Sequence, residues 1–122
     1  MKNYMNVLKA LSDENRVRIL LMLRIRPLCV CEVSEAFDIA LPTISAHLRT
    51  LRNAGVIHDE KEGRWVIYRL ASDNPFFDEL LSVLEKRLQN DEKVVHDRDI
   101  ILHTTREICA AKFKEKQRSG RY

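Results

Sequence analysis

Residues 28–51 constrain this chain more than any other stretch: Leu-Cys-Val-Cys-Glu-Val-Ser-Glu-Ala-Phe-Asp-Ile-Ala-Leu-Pro-Thr-Ile-Ser-Ala-His-Leu-Arg-Thr-Leu. In its second half Leu41, Ile44, Leu48 and Leu51 recur at spacings of three and four, the apolar stripe of an amphipathic helix. Pro42 suits a first helical position, where a missing N–H leaves no intrahelical bond unmade. Gly55 suits the position just past the helix end. At 3.6 residues per turn, Thr43, Ala46, Thr50 and Asn53 fall opposite the stripe, with Ser45 and His47 on its flanks. The first half opens on two cysteines, Cys29 and Cys31, and its apolar residues Val33, Ala36 and Phe37 predict a short helix over residues 30–37. Residues 38–41 form the turn between the two helices. Two helices joined so closely make a helix-turn-helix, whose second helix enters the major groove with its N-terminal residues at the base edges.

The flanking segments supply the rest of a small fold. Met5, Leu8 and Leu11 predict a first helix over residues 4–11. Ser12 is the expected N-cap of a second helix over residues 13–23, which buries Val17, Leu20, Leu21 and Leu23. Beyond Gly55 the period changes. Residues 56–61 and 65–70 alternate like paired strands about Gly63, a two-stranded hairpin that must lean on the helices. Asn74-Pro75 starts another helix, with Phe77, Leu80, Leu81, Leu84 and Leu88 in one stripe to about residue 90. A polar stretch over residues 90–99 interrupts it, and Ile101, Thr105, Ile108 and Ala111 resume a helical pattern to about residue 116. The expected fold class is mainly α with a small β-hairpin, a winged helix-turn-helix. It divides into a core over residues 1–90, with helix-turn-helix 30–54 and wing 56–70, and a helical extension over 91–122. The first and last helices carry more apolar surface than one small domain covers, so a symmetric homodimer is expected.

Length and charge narrow the function classes. With 122 residues, 45% hydrophobic and 32% charged, the chain fits one soluble domain. Its longest apolar run, residues 19–23, is too short to span a membrane, and the first residues lack a secretory core. A cytoplasmic protein with reduced thiols is expected, and three cysteines do not make a disulfide framework. The net charge of +3 permits a nucleic-acid partner without requiring one. The excess basic charge lies at the end, where Lys112, Lys114, Lys116, Arg118 and Arg121 outnumber Glu115; the favoured reading is a solvated terminus, the alternative a contact with phosphate or lipid headgroups. No Ser/His/Asp set, carboxylate pair or Gly-rich phosphate loop stands out, so an enzyme is not expected.

Four segments in order, Ala10-Leu11-Ser12-Asp13-Glu14-Asn15-Arg16-Val17-Arg18-Ile19-Leu20, Leu28-Cys29-Val30-Cys31-Glu32-Val33, residues 44–56 and residues 62–70, resemble the ArsR/SmtB family of bacterial metal-responsive winged-helix repressors. The resemblance covers residues 5–72. It implies a homodimer that binds double-stranded operator DNA and leaves it when a toxic ion binds. Leu-Cys-Val-Cys-Glu is similar to the arsenic- and antimony-sensing branch, implying As(III) or Sb(III) as inducer. Carried over by residue, Thr43, Ser45 and His47 would face bases or phosphates. Arg49 and Arg52 would touch the backbone, with Lys61 and Arg64 in the wing. Two departures bear on DNA: Ala40-Leu41 replaces a frequent Ser-Gln, and Asp59, Glu60 and Glu62 crowd the wing with negative charge.

Soft thiolates select soft ions, and trivalent arsenic takes two or three of them. Two cysteines two positions apart on a regular helix point about 200° apart. Gripping one ion would therefore distort the helix that supports the recognition helix, a route from ion to operator release. Many family members carry a third cysteine where this chain has Ser34. Cys109 is the remaining sulfur, and two readings stand: a third ligand, from either subunit, or a small buried hydrophobe on a dimer helix. For Cys29 and Cys31 the alternatives are core positions, a divalent soft-metal site for cadmium, lead or zinc, or a redox pair. A third class of reading is a metal-handling or interaction module that never meets DNA. His96, His103, Asp97, Asp99 and Glu107 lack the spacings of the family's zinc site and read as a solvated face. His58 reads as a hairpin surface residue.

Overall fold

The computed structural model describes the backbone of residues 1–118 and side chains through Lys112, so the rest of the basic cluster, Lys114, Lys116, Arg118 and Arg121, lies outside the described side chains. The elements run α1 (Lys2–Ala10), α2 (Glu14–Ile25), β1 (Leu28–Cys29), α3 (Val30–Ser34), α4 (Leu41–Asn53), β2 (Ile57–Glu62), β3 (Trp65–Leu70), α5 (Pro75–Arg87), α6 (Glu92–Leu102) and α7 (Arg106–Arg118).

Helix α2 is the axis of the core. Ile19 through Leu23 are five consecutive buried residues, so this helix is covered on every side, by α4, α5, α6 and β3. Its N-cap is Asp13, which accepts from the Arg16 N–H at 3.1 Å, and not Ser12. Ser12 donates its hydroxyl back to the Lys9 carbonyl at 2.7 Å. A carboxylate is the better cap because it adds negative charge to the positive end of the helix. The Arg16 guanidinium then satisfies the Ala10 and Lys9 carbonyls at the end of α1, at 2.9 and 3.0 Å.

In α1 the buried residues are Val7 and Ala10. Tyr4, Met5 and Leu8 stay exposed, at 52%, 40% and 44%. Exposed apolar residues on this helix accord with the expectation that it carries more apolar surface than one small domain covers.

The helix-turn-helix lies where expected, with α3 shorter than predicted. Ser34 Oγ donates to the Cys31 carbonyl at 2.7 Å, and the Ala36 and Phe37 N–H groups bond three residues back, tightening the chain into a turn. Helix α4 buries Ile44, Leu48 and Leu51, each such burial contributing about 1.5–3 kcal/mol. It closes at Gly55, whose φ of 76° is the left-handed conformation that glycine adopts without strain.

The wing is a three-stranded antiparallel sheet, order β1-β3-β2, in place of the expected two-stranded hairpin. Leu28 pairs with Tyr68 and Cys29 with Ile67. This third strand of two residues is too short to show a period, yet it binds the wing to the start of α3.

The polar stretch expected to interrupt the tail is helix α6. Asp91 caps it by accepting from the Lys93 and Val94 N–H groups at 3.0 and 3.2 Å. Its buried face is Asp97 and Ile101. Asp97 is held by Arg18 through two 2.7 Å bonds, and the same guanidinium donates to the Ala36 carbonyl at 3.1 Å and lies over the Phe37 ring. A helix that docks through an ion pair as well as through Ile101 carries only a weak apolar signal in sequence.

Candidate functional site

The thiol cluster forms where α3 begins. Cys29 is not on the helix: it is the N-cap residue, in extended conformation (φ −87°, ψ 166°), paired into the sheet and 3% exposed. This corrects the picture of two cysteines opposed on one helical turn. The Cys29 sulfur accepts from the Glu32 backbone N–H, while Glu32 Oε1 accepts from the Cys29 N–H at 3.0 Å, a reciprocal cap built on a thiol in place of a hydroxyl. Cys31 is the second helical residue and is half-buried.

Cys109, on α7, comes from far along the chain to the same place. Helices α3 and α7 are in contact, which brings the Cys31 and Cys109 side chains beside one another within one subunit. Cys109 is 1% exposed, and the Thr104 hydroxyl lies 3.2 Å from its sulfur. Cys31 thus has Cys109 on one side and Cys29 two residues away, although among the described residues no three His, Cys, Asp or Glu side chains are already arranged to hold a metal ion. Burial pushes all three thiols up, Cys29 from an ordinary 9.0 to about 11, with its two backbone N–H bonds opposing the shift. Cys31 rises through burial and, next, through Cys109 beside it; Cys109 rises through burial against the opposing bonds from Thr104 and Cys31. At neutral pH these are thiols, reduced and uncharged.

Around the cluster stand residues to which the sequence reading gave no role. Glu32, 3% exposed, is paired with Arg26 at 2.6 Å. Arg26 donates from its other nitrogen to the Ile101 and Thr104 carbonyls at 3.1 and 2.8 Å. A glutamate three residues past the cap was the available signal for this arrangement.

The opposite side of α3–α4 is a polar and basic face. Thr43 and Arg49 are exposed on α4, with Ser45 and His47 half-buried at its flanks. Arg52 is exposed but engaged, 3.2 Å from Asp59 of the wing. Lys61 and Arg64 are exposed near the hairpin tip, Arg64 stacked over Trp65. Glu60 and Glu62 are drawn off by Arg69 at 2.7 and 3.5 Å, and Glu62 also by Arg106 of α7 at 3.2 Å, so the wing's acids are partly neutralised from within. His58 is on the surface as expected. His96 pairs with Asp97 and His103 with Asp99, apart from the thiols.

Residues 13–59 match the family described as bacterial regulatory protein, arsR family. Over 65 residues the chain is 40% identical to the transcriptional repressor SdpR of Bacillus subtilis, covering 53% of this chain and 72% of that protein. The chain belongs to the arsR family. Among its relatives are an arsenic resistance transcriptional regulator of Pseudomonas putida, 46% identical over 70 residues (57% of this chain, 55% of that protein), and a cadmium resistance regulatory protein homologue of Staphylococcus aureus, 42% identical over 69 residues (56% and 57%). The chain thus spans little more than half the length of these metal-resistance relatives. Among solved structures, HlyU from Vibrio cholerae superposes with TM-score 0.66 at 28% identity, covering 73% of this chain and 95% of that one. A homodimeric winged helix-turn-helix DNA-binding domain from Mycobacterium bovis superposes with TM-score 0.62 at 25% identity, covering 75% and 82%. The arsR-family winged helix-turn-helix is thereby the architecture of this chain.

Proposed function

We propose that this arsR-family chain is a homodimeric transcriptional repressor that leaves its operator when trivalent arsenic or antimony is taken by Cys29, Cys31 and Cys109. One observation carries the reading: Cys109 of α7 meets Cys31 at the first turn of the helix that supports α4, two residues from the Cys29 that caps that helix. Arsenic resistance regulators among the relatives support the choice of ion. On the DNA side, Thr43, Ser45 and His47 at the start of α4 serve as base-edge or phosphate contacts, and Arg49, Arg52, Lys61 and Arg64 serve the backbone. The exposed Tyr4, Met5 and Leu8 of α1 supply apolar surface for a second copy, setting two α4 helices about one DNA turn, roughly 34 Å, apart.

The ionisation of the thiols favours arsenite over a divalent cation. Binding a divalent metal must expel protons from groups whose burial holds them protonated. Arsenite reacts instead by exchange: each thiol forms a sulfur–arsenic bond while its proton leaves with an arsenite hydroxide as water. No net charge enters the buried site and no proton is released.

Cys29 joins such a set only by giving up its place as the cap of α3. Ion binding then unpicks the first turn of α3 and, through it, the seating of α4. That is the coupling between inducer and operator.

The test is fluorescence anisotropy with a duplex from the upstream promoter, titrating arsenite into wild type and into Cys29→Ser, Cys31→Ser and Cys109→Ser. Wild type should release DNA, Cys31→Ser should hold it, and Cys109→Ser should need about tenfold more arsenite or more. Release by cadmium or peroxide in place of arsenite would move the protein to the soft-metal or redox reading. Binding without dependence on salt would remove it from DNA altogether.

A further inference from the structure

Outside the thiols, one arrangement is larger than the packing of a small domain requires. Glu32 is a buried carboxylate whose two oxygens face different elements: Oε1 receives the Cys29 N–H, and Oε2 receives Arg26. Arg26 continues past the acid to the last turn of α6 and the turn beyond it, through the Ile101 and Thr104 carbonyls. The side chain of that same Thr104 abuts Cys109. Cys109 meets Cys31, two residues from where the chain of bonds began. The contacts close a ring that passes through all three cysteines and ties β1, α3, α6 and α7 together.

We propose that Arg26 and Glu32 are positioning residues for the thiol site, holding Cys109 against Cys31 in the ion-free protein and transmitting the loss of the Cys29 cap to α6 and α7. The geometry gives each its part. Glu32 reports on Cys29, because its Oε1 loses its N–H partner when Cys29 leaves the cap. A carboxylate buried beside a guanidinium cannot shift alone, since a separated charge in that setting is costly. Arg26 therefore follows Glu32, and its fork leaves the carbonyls of Ile101 and Thr104. The turn that seats Cys109 is then free to close on the ion. From α6 the displacement has a second outlet, because Asp97 on that helix grips Arg18, which holds the Ala36 carbonyl in the turn leading to α4. The positioning role stands on the ion-free contacts, whereas the transmission role rests on the arsenite reading above.

Two measurements separate these roles. The first is site-resolved alkylation of Cys109 by iodoacetamide at neutral pH, read by mass spectrometry, in wild type, Arg26→Gln, Arg26→Lys and Asp97→Asn without any ion. In Arg26→Gln the seat of Cys109 opens and its alkylation rises about tenfold or more. Arg26→Lys, which keeps the charge but has no fork, falls between that variant and wild type. Asp97→Asn breaks the other buried pair and serves as the control for general loss of stability. Equal alkylation in Arg26→Gln and Asp97→Asn, or none above wild type in Arg26→Gln, overturns the positioning role.

The second measurement is the ratio of operator affinities without and with saturating arsenite. In Arg26→Gln and Glu32→Gln this ratio falls by about tenfold relative to wild type. An unchanged ratio overturns transmission through Arg26. If arsenite leaves even the wild-type ratio at one, the function proposed above fails by itself, and the alkylation result still decides the positioning role.

Discussion

The sulfur atoms of this protein are unlike those of a reactive-cysteine enzyme. Among the described residues no cation acts on the thiols; a carboxylate, Glu32, caps the backbone beside Cys29, and burial holds each thiol above its ordinary range. A group whose folded value is raised stabilises the fold below its unfolded value, here 9.0 for Cys29, and loses that contribution as pH climbs through about 11. In the proposed function the same shift would set the choice of ion. Between pH 6 and 8, cadmium affinity should rise by about tenfold per pH unit for each proton expelled, whereas arsenite affinity should stay nearly flat. Isothermal titration in two buffers of different protonation enthalpy measures the protons released. A flat cadmium profile would mean that the thiols are already ionised and would remove this basis for selectivity.

At the scale of elements, α4 is fixed by what lies on either side of it. Ile44, Leu48 and Leu51 seat it on α2 and α3, leaving Thr43 and Arg49 exposed. If Arg49 contacts phosphate, Arg49→Ala should weaken operator binding and lower the slope of log affinity against log salt by about 0.9. An anisotropy series over salt concentration gives that slope, and an unchanged slope takes Arg49 off the DNA. Arg52 should behave differently, since Asp59 already holds it at 3.2 Å and that bond must be exchanged for phosphate. Helix α6 depends on Asp97 in the same way that α4 depends on its leucines. Asp97→Ala leaves the Arg18 charge buried without its partner and should cost about 3–5 kcal/mol, read as a shift of the urea midpoint at constant slope.

Among the described residues, Tyr4, Met5 and Leu8 on α1 form an apolar face that the chain itself leaves half-exposed. With a second copy as its cover, Leu8→Asp should convert the protein to monomer by sedimentation. It should also reduce operator affinity far more than any single DNA-facing substitution, because two half-sites would no longer be bound together. A dimeric Leu8→Asp variant would place the interface elsewhere. Tail helix α7 adds a second link at this scale, since Arg106 joins the wing at Glu62 while Cys109 joins α3. An ion taken by the thiols, as proposed, would therefore act on α3, wing and tail together.

The sequence alone determined the parts whose signals are local. The stripe of Leu41, Ile44, Leu48 and Leu51, the proline start and the glycine stop specify α4 because helix period, capping and φ are properties of neighbouring residues. The strands about Gly63 and the Asn74-Pro75 helix start were legible for the same reason. Motifs in order placed the chain in its family. What only the tertiary structure decided depends on partners distant in sequence. Asp13 displaced Ser12 as a cap, and Cys29 proved to be strand and cap because Ile67 pairs with it. Helix α6 hides its core contact in a pair 79 residues apart. The meeting of Cys109 with Cys31, and the Arg26–Glu32 link around them, belong to the same class. Burial turns these polar residues into structure by forcing each to find a partner, and no period along the chain records which partner it finds.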